Sequence, residues 1–279
     1  MRERDLQPFR LAAVEFEIRS GLEDCLFTGA DAVLIFGGDG TVHRHLGRLH
    51  AAQVPALVVP VGSGNDFAIA LGLKTARQSL VAWQRFAKAN DNSRSIDLGE
   101  ITAADGKKTL YCCVAGAGLD SAANQLANRM PRWLRARGGY LLAAFISILR
   151  FRPAEARVAA QGANGEWVKR SGPATLVAFA NAPAYGGGLR IAPRAQLDDG
   201  LLDLCFVRRA SRLRLLRKAP DVLTGSHLLM PEVEYAQVRG LTLATDPPLP
   251  VYADGEYVCP TPVQVRVLPR ALQVIVAPA

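Results

Sequence analysis

Four glycine-bearing stretches of this 279-residue chain hold the residue types that chemistry needs. In the first, Gly37-Gly38-Asp39-Gly40-Thr41, one carboxylate and one hydroxyl stand among three glycines at the end of an apolar run. Glycines there can expose successive backbone N–H groups at a helix start, which suits an anion such as phosphate. Thr41 adds a hydroxyl donor. The charge of Asp39 repels phosphate and suits ordering the loop, or working through water and Mg²⁺. The second stretch, "PVGSGNDFAIALGL" at 60–73, repeats the logic with Ser63 and Gly64, then Asn65 and Asp66 placed to cap a helix. In the third, "YGGGLRIAPRAQLDDGLLDL" at 185–204, Asp198 and Asp199 offer the carboxylate oxygens that hard cations prefer. In the fourth, "VYADGEYV" at 251–258, Asp254 and Glu256 lie two residues apart. In an extended segment they share a face, so one can orient the other as general base for a hydroxyl.

Each stretch has a plainer reading. An isolated GGDG is first a strand-to-helix turn, Asp-Asp-Gly an ordinary hairpin turn, and the Asp254–Glu256 stretch a solvent-facing hairpin. Joint occurrence weighs against this, because two such loops from adjacent strands converge on one side of a parallel sheet and make a nucleotide site. Neither loop fits GxxxxGK[ST] or GxGxxG, which excludes a P-loop and the usual dinucleotide fingerprint.

The elements that must position these loops change character along the chain. Residues 31–90 alternate strand-like runs ("DAVLIFGG", "VPALVVPVGSG") with helix-like ones ("TVHRHLGRLHAA", "DFAIALGL", "ARQSLVAWQRFAKA"), the order of a parallel sheet with crossover helices. From about Ser95 short strands and turns take over, from "RSIDLGEIT" and "KTLYCCVAGAG" to "VQVRVLP" and "LQVIVAP", with a helical insertion at 121–150. The expected organisation is an α/β domain over 1–94 and a β-rich domain over 95–279, with the carboxyl-terminal tail free to pack back on the first.

Composition bounds the partners. With 49% hydrophobic and 21% charged residues the chain is globular, and 33 Lys+Arg against 25 Asp+Glu, a net +8, favours an acidic partner. Cys25, Cys112, Cys113, Cys205 and Cys259 show no CxxC pair or zinc-like spacing and read as reduced, mostly buried thiols of a cytosolic protein. No apolar signal region follows the amino terminus, and the longest apolar run, at 139–149, is too short to span a bilayer. The expectation is a soluble chain that can still touch a membrane.

Taken in this order, "GGDGTV", "PVGSGNDFA", "SIDLGEI", "GAGLDS", "GGYLLAAFISILR", "NAPAYGGGLRIAP", "LDDGLLDL" and "ADGE" resemble the soluble diacylglycerol kinase and sphingosine kinase catalytic domain, including its bacterial lipid kinase members. The resemblance runs from about Asp31 to the carboxyl terminus. "GGDGT" alone is shared with NAD kinases and phosphofructokinases; its combination with "GSGNDFA", "YGGG…DDG" and "DGE" is specific. The resemblance implies an N-terminal Rossmann-like parallel α/β nucleotide domain followed by a C-terminal β-sandwich, with the active site in the cleft between them. It implies ATP against Gly37, Gly38, Asp39, Gly40, Thr41, Val42 and His43 and the Ser63 hydroxyl, with Gly64, Asn65 and Asp66 in the supporting loop. Asp39 and Asp66 then belong to a water-and-Mg²⁺ network beneath the nucleotide, and a magnesium of the β domain falls to Asp199 with main-chain oxygens of Gln196 and Leu201. The proton acceptor falls in Asp254-Gly255-Glu256, with the division of labour between the two carboxylates open.

The implied activity is ATP- and Mg²⁺-dependent phosphorylation of diacylglycerol or a related lipid alcohol, in phospholipid metabolism. The lipid would be met at a membrane surface, and the protein placed in the cytoplasm or peripherally on the inner face of the membrane. The arginine-flanked stretch at 129–152, with Trp133, and the basic run at 208–218 suit an anionic interface; core packing and a solvated helix face are their plainer readings. The family opens with a strand carrying an Asn-Pro…Gly turn, and none precedes "EFEIRSGLEDCLFTGADAVLIFGG", so the first βα unit is expected to be missing or reduced. Two other readings stand beside the lipid kinase: a catalytically weak lipid-binding or regulatory protein of the same fold, and a small-molecule kinase sharing only "GGDGT". Nucleic-acid binding has the charge alone behind it, and a homodimer is left open.

Overall fold

The computed structural model describes residues 3–11, 17, 27, 29–130 and 140–278. Cys25, Trp133 and most of the stretch in which the amino-terminal departure is expected lie outside them. The chain divides into two compact units, one of Met1–Ile96 with Arg270–Ala279, the other of Asp97–Pro269.

In the first unit, two apolar five-residue runs form parallel strands β1 (Val33–Gly37) and β2 (Ala56–Pro60), in register from Val33↔Ala56 to Gly37↔Pro60. Parallel neighbours need a crossover, and α2 (Asp39–Ala52) supplies it. Val42, Leu46 and Leu49 recur at helical spacing on α2 and are each 1% exposed, so this stripe holds the helix on the sheet. A short helix α3 (Asp66–Ala70) and a longer α4 (Ala76–Ala89) follow. Thr75 and Gln78 cap α4 reciprocally, and Ser79 donates to the Val58 carbonyl at 2.9 Å, tying α4 to β2. At the amino end, α1 (Glu3–Arg10) meets the same unit: the Trp83 indole N–H donates to the Phe9 carbonyl at 2.9 Å, and the Phe9 ring lies edge-on to Phe36. Val274 pairs with Ala56, so the returning carboxyl-terminal segment adds a third parallel strand beside β2.

The chain leaves this unit within β3 (Ser93–Ala103) and returns within β12 (Val263–Ile275). The second unit holds β4 (Lys108–Tyr111), β5 (Val114–Gly118), α5 (Leu119–Arg129), α6 (Tyr140–Arg150), β6 (Ala154–Gly162), β7 (Trp167–Ala180) and β8 (Leu202–Arg208). After them come α7 (Arg212–Lys218), α8 (Asp221–Thr224), a 3₁₀ turn at Ser226–Leu229, β9 (Val233–Asp246), β10 (Pro250–Ala253) and β11 (Glu256–Pro260). In it the pairs β3–β4, β5–β7, β5–β10, β6–β7, β6–β9, β7–β8, β8–β9, β9–β12 and β10–β11 are antiparallel.

Two long strands make the corners of the sandwich. The first part of β7 pairs with β6, and the part beyond Ala174 pairs with β8 and β5. In β9 the first part pairs with β8 and the part from Val238 onward with β6. Register shifts at Gln161/Gly162 and Ala174/Leu176 mark where strands bend from one layer to the other. Val158, Phe179, Leu204, Phe206 and Leu243 fill the core. The runs "WVKRS" and "ATLVAFA" are thus parts of one bent strand, β7. Likewise "VQVRVLP" and "LQVI" are parts of one strand, β12, joined through Pro269 and Arg270, the latter at φ +52°. No helix among the described residues is long and apolar enough to cross a membrane.

Candidate active site

The glycine loops that close β1 and β2 touch each other. The Asp39 N–H donates to the Gly64 carbonyl at 3.2 Å, and the Val61 N–H to the Gly37 carbonyl at 3.3 Å. A Cβ on Gly38 would sit 2.3 Å from the Gly64 oxygen, and one on Gly62 would sit 2.5 Å from the Gly38 Cα. Only backbone fits between these loops, which is why both positions are glycine. The carboxylate of Asp39 spans the junction: Oδ2 accepts from the Asp66 N–H at 3.1 Å and Oδ1 from the Phe67 N–H at 3.0 Å.

Asp39 is therefore the cap of α3, supplied from another loop. Sequence spacing places Asn65 and Asp66 to cap this helix; Asn65 does occupy the N-cap position, but its side chain makes no cap hydrogen bond to α3. The Asn65 amide instead closes its own turn, accepting from the Gly62 N–H at 3.2 Å and donating to the Gly62 carbonyl at 2.9 Å. Asp66 is buried at the first helical position. Gly37, Gly40, Thr41, His43, Ser63 and Gly64 lie along the joined loops and the first turn of α2, with Ser63 exposed. The Val42 side chain is core, so this residue offers a ligand main-chain atoms only.

In the second unit, Asp254 and Gly255 join β10 to β11 with φ +49° and +87°, the left-handed pair that a two-residue hairpin loop demands. The expectation that Asp254 and Glu256 share one face of an extended segment is overturned, because a turn does not follow the strand's period of two. Asp254 turns inward. Its Oδ1 accepts from the N–H groups of Cys113 at 2.8 Å and Val114 at 3.3 Å, and its Oδ2 from that of Cys112 at 2.9 Å. Glu256 stands exposed at the start of β11, where its backbone pairs with Ala253 and its side chain makes no hydrogen bond or ion pair to a described residue.

The Asp-Asp-Gly turn belongs to the long connection between β7 and β8, not to a tight hairpin. Upstream in that connection, Gly186, Gly187 and Gly188 all have positive φ, and Tyr185 and Leu189 exchange main-chain hydrogen bonds across them. No atom crowds Gly187 or Gly188, so backbone conformation alone selects glycine there. Asp199 turns back to accept from the Leu201 N–H at 3.0 Å, while Asp97 on β3 accepts from the Gly200 N–H at 2.6 Å. Burial pushes the Asp199 carboxyl up, and the charges of Asp97 and Asp198 act the same way. Asp203, buried on β8 beside Tyr235 and Gln237, is pushed up to about 6, chiefly by burial and also by the charge of Asp199, against the opposing hydrogen bonds of Tyr235 and Gln237. The Asp199 carboxylate with main-chain oxygens beside it offers the oxygen donors a hard divalent cation takes, although no three carboxylates of this connection converge among the described residues. Gln196 and Leu201 flank Asp199 in the same connection.

Sequence reading missed three participants. Asp97 lies in "SIDLGEI", and its link to Gly200 spans 103 residues. The amides that hold Asp254 come from "CCV", where an adjacent cysteine pair drew attention to thiols rather than to backbone. Cys112, Cys113, Cys205 and Cys259 are buried and joined in no disulfide. Asp120, in "GAGLDS", heads α5 with its carboxyl pushed by burial to about 6.

Known proteins bear directly on these loops. The diacylglycerol kinase catalytic domain family matches residues 14–101, and the YegS C-terminal NAD kinase beta sandwich-like domain matches 113–276. The "Diacylglycerol kinase" of Mycobacterium tuberculosis (strain ATCC 25618 / H37Rv) is 36% identical over 247 residues, covering 88% of this chain and 77% of that one. The chain belongs to the diacylglycerol kinase family. A "Probable lipid kinase YegS-like" protein of Chromohalobacter salexigens is 31% identical to this diacylglycerol kinase family member over 239 residues, covering 82% of it and 70% of the relative. In fold it is similar to the crystal structure of a putative diacylglycerol kinase from Bacillus anthracis str. Sterne, with a TM-score of 0.75, 21% identity and 99% and 90% of the two chains covered. The N-terminal catalytic-domain and C-terminal sandwich architecture is that of the family.

Proposed function

We propose that this protein is an ATP- and Mg²⁺-dependent lipid kinase that phosphorylates the hydroxyl of diacylglycerol or a related lipid alcohol, with Glu256 as proton acceptor. The observation that carries the assignment of the base is the engagement of Asp254 by three main-chain N–H groups. A carboxylate so held fixes the turn, and Glu256 is left as the exposed carboxylate of "DGE". In the reaction, the lipid hydroxyl gives its proton to Glu256 as its oxygen bonds to the γ-phosphorus. The bond from that phosphorus to the bridging oxygen breaks, and ADP leaves. The joined glycine loops receive the phosphates on backbone N–H groups, and Asp39 keeps the loops in register by capping α3. A magnesium ion would neutralise phosphate charge during transfer, and one held in the second unit by Asp199 with main-chain oxygens of Gln196 and Leu201 would order the Asp-Asp-Gly turn.

The test follows γ-phosphate transfer to a panel of lipid alcohols in mixed micelles with Mg²⁺. Glu256→Gln is expected to lose about 10²–10⁴-fold in kcat, the usual contribution of a general base, with nucleotide affinity retained. Unchanged activity in Glu256→Gln removes it from the role. Absence of both transfer and nucleotide binding in the unmodified protein overturns the kinase reading, and transfer to soluble alcohols alone moves it to small-molecule kinases.

A further inference from the structure

Two thiols and a carboxylate meet at the turn that joins β10 to β11. Cys112 and Cys113 form the bend between β4 and β5. In a regular strand successive side chains point to opposite faces. The bend breaks that alternation and brings the two Sγ atoms within 4.0 Å of each other. Asp254 arrives from 142 residues beyond Cys112, and its Oδ2 lies 3.5 Å from the Cys112 Sγ. One ligand atom from each of the three residues falls within 4.8 Å of the others. No sequence spacing shows this group, because the carboxylate comes from another hairpin.

These separations are those of a tetrahedral metal centre. With bonds of about 2.3 Å to sulfur and about 2.0 Å to oxygen, tetrahedral angles put two sulfurs about 3.8 Å apart and a sulfur and an oxygen about 3.5 Å apart. Donor type then chooses the ion. Mg²⁺ and Ca²⁺ take oxygen ligands, whereas thiolates select thiophilic ions such as Zn²⁺. Three protein ligands leave a fourth position for water, and Asp254, the partly exposed member, gives the ion its way in. We propose that Cys112, Cys113 and Asp254 bind a thiophilic divalent cation of the zinc class, and that the bound ion clamps the turn that carries Asp254, Gly255 and Glu256. On binding, each thiol gives its proton to water and each sulfur bonds the ion through the electron pair so freed. Oδ2 holds the ion on one lone pair while it accepts from the Cys112 N–H at 2.9 Å on the other, and Oδ1 keeps its bonds from Cys113 and Val114. The same amides offset the negative charge that two thiolates and a carboxylate leave around a divalent ion. The site stands apart from the kinase reading, whose Mg²⁺ falls to oxygen donors of other loops.

Co²⁺ serves as the spectroscopic stand-in for Zn²⁺, added to the full chain under a non-thiol reductant. A single equivalent is expected to give a thiolate-to-cobalt band in the near ultraviolet with the intense visible bands of tetrahedral Co²⁺, and Zn²⁺ should bleach both. C112S/C113S abolishes the charge-transfer band. Cys113→Ser alone lowers it by about half or more, since one of the two thiolates is gone, and keeps the test open should the double variant fail to fold. Cys25→Ser and Cys259→Ser, made singly, bind as the parent does. Zn²⁺ should also slow hydrogen exchange across 251–258 severalfold in the parent and less in Cys113→Ser. No charge-transfer band in the parent, an undiminished band in C112S/C113S, or an equal loss in Cys259→Ser would each overturn the site. A bound ion that leaves exchange across the turn unchanged would overturn the clamp.

Discussion

Replacing Asp39 by alanine separates two roles that one carboxylate could have in such a loop. The structure gives it two charge-assisted hydrogen bonds, at 3.1 and 3.0 Å, to the first amides of α3. Asp66 and Phe67 are 5% and 1% exposed, so water cannot readily replace the lost acceptor. Loss of a helix cap costs about 0.5–2 kcal/mol, and hydrogen bonds to charged groups are worth about 1.5–3 kcal/mol. Because α3 can shift to recover some hydration, a local cost of about 2–3 kcal/mol is expected for Asp39→Ala. Asp39→Asn keeps one acceptor oxygen and should lose about half of that. Hydrogen exchange read by mass spectrometry on peptides covering 62–73 is the direct assay. At ~1.4 kcal/mol per tenfold, protection there should fall roughly thirtyfold to a hundredfold in the alanine variant, with the asparagine variant between it and the parent. Phosphoryl transfer should fall in the same order. Lost transfer with unchanged protection of α3 in Asp39→Ala would refute the reasoning and place Asp39 on the reacting groups themselves.

Three further outcomes follow from the second unit. Asp254→Ala removes the acceptor for three amides and is expected to destabilise the unit by about 2–3 kcal/mol, seen as a lower calorimetric Tm, whereas Glu256→Gln leaves Tm unchanged; equal Tm values for both would contradict the anchoring role. Asp120 has its carboxyl raised from 3.8 to about 6, so the folded state binds this proton more tightly than the unfolded state does. Stability from this group is complete below pH 4 and is lost as pH rises through about 6. At ~1.4 kcal/mol per pH unit the loss approaches 3 kcal/mol, and Asp120→Asn should surpass the parent at neutral pH while converging with it in acid. Parallel stability–pH curves would remove Asp120 as their cause. Mg²⁺ at about a hundred times its Kd should stabilise the protein by about 2.7 kcal/mol in denaturant titration, and Asp199→Asn should abolish the gain; a gain retained in Asp199→Asn would move the metal elsewhere.

Local pattern made much of this architecture legible. The apolar runs ending in glycines became β1 and β2, the helical spacing of Val42, Leu46 and Leu49 became the buried face of α2, and the strand-and-turn rhythm after Ser95 became the sandwich. Partnerships between distant residues were not legible, because no local spacing encodes them. Asp39 reaches amides 27 and 28 residues away, and Asp254 reaches amides 140 to 142 residues away. Both look like candidate chemistry in one dimension because a carboxylate among glycines is the signature of a ligand site and equally of a carboxylate that ties two backbones together. The two cases differ in what saturates the oxygens. By that measure Asp39 and Asp254 hold the loops, while Glu256, exposed beside Asp254, retains acceptor capacity for a substrate proton. The turn at Asp254 shows why the period of two misled. Positive φ at two successive residues reverses the chain, so residues that alternate along a strand part company across it. One carboxylate is thereby committed to the fold, and its neighbour is free to act.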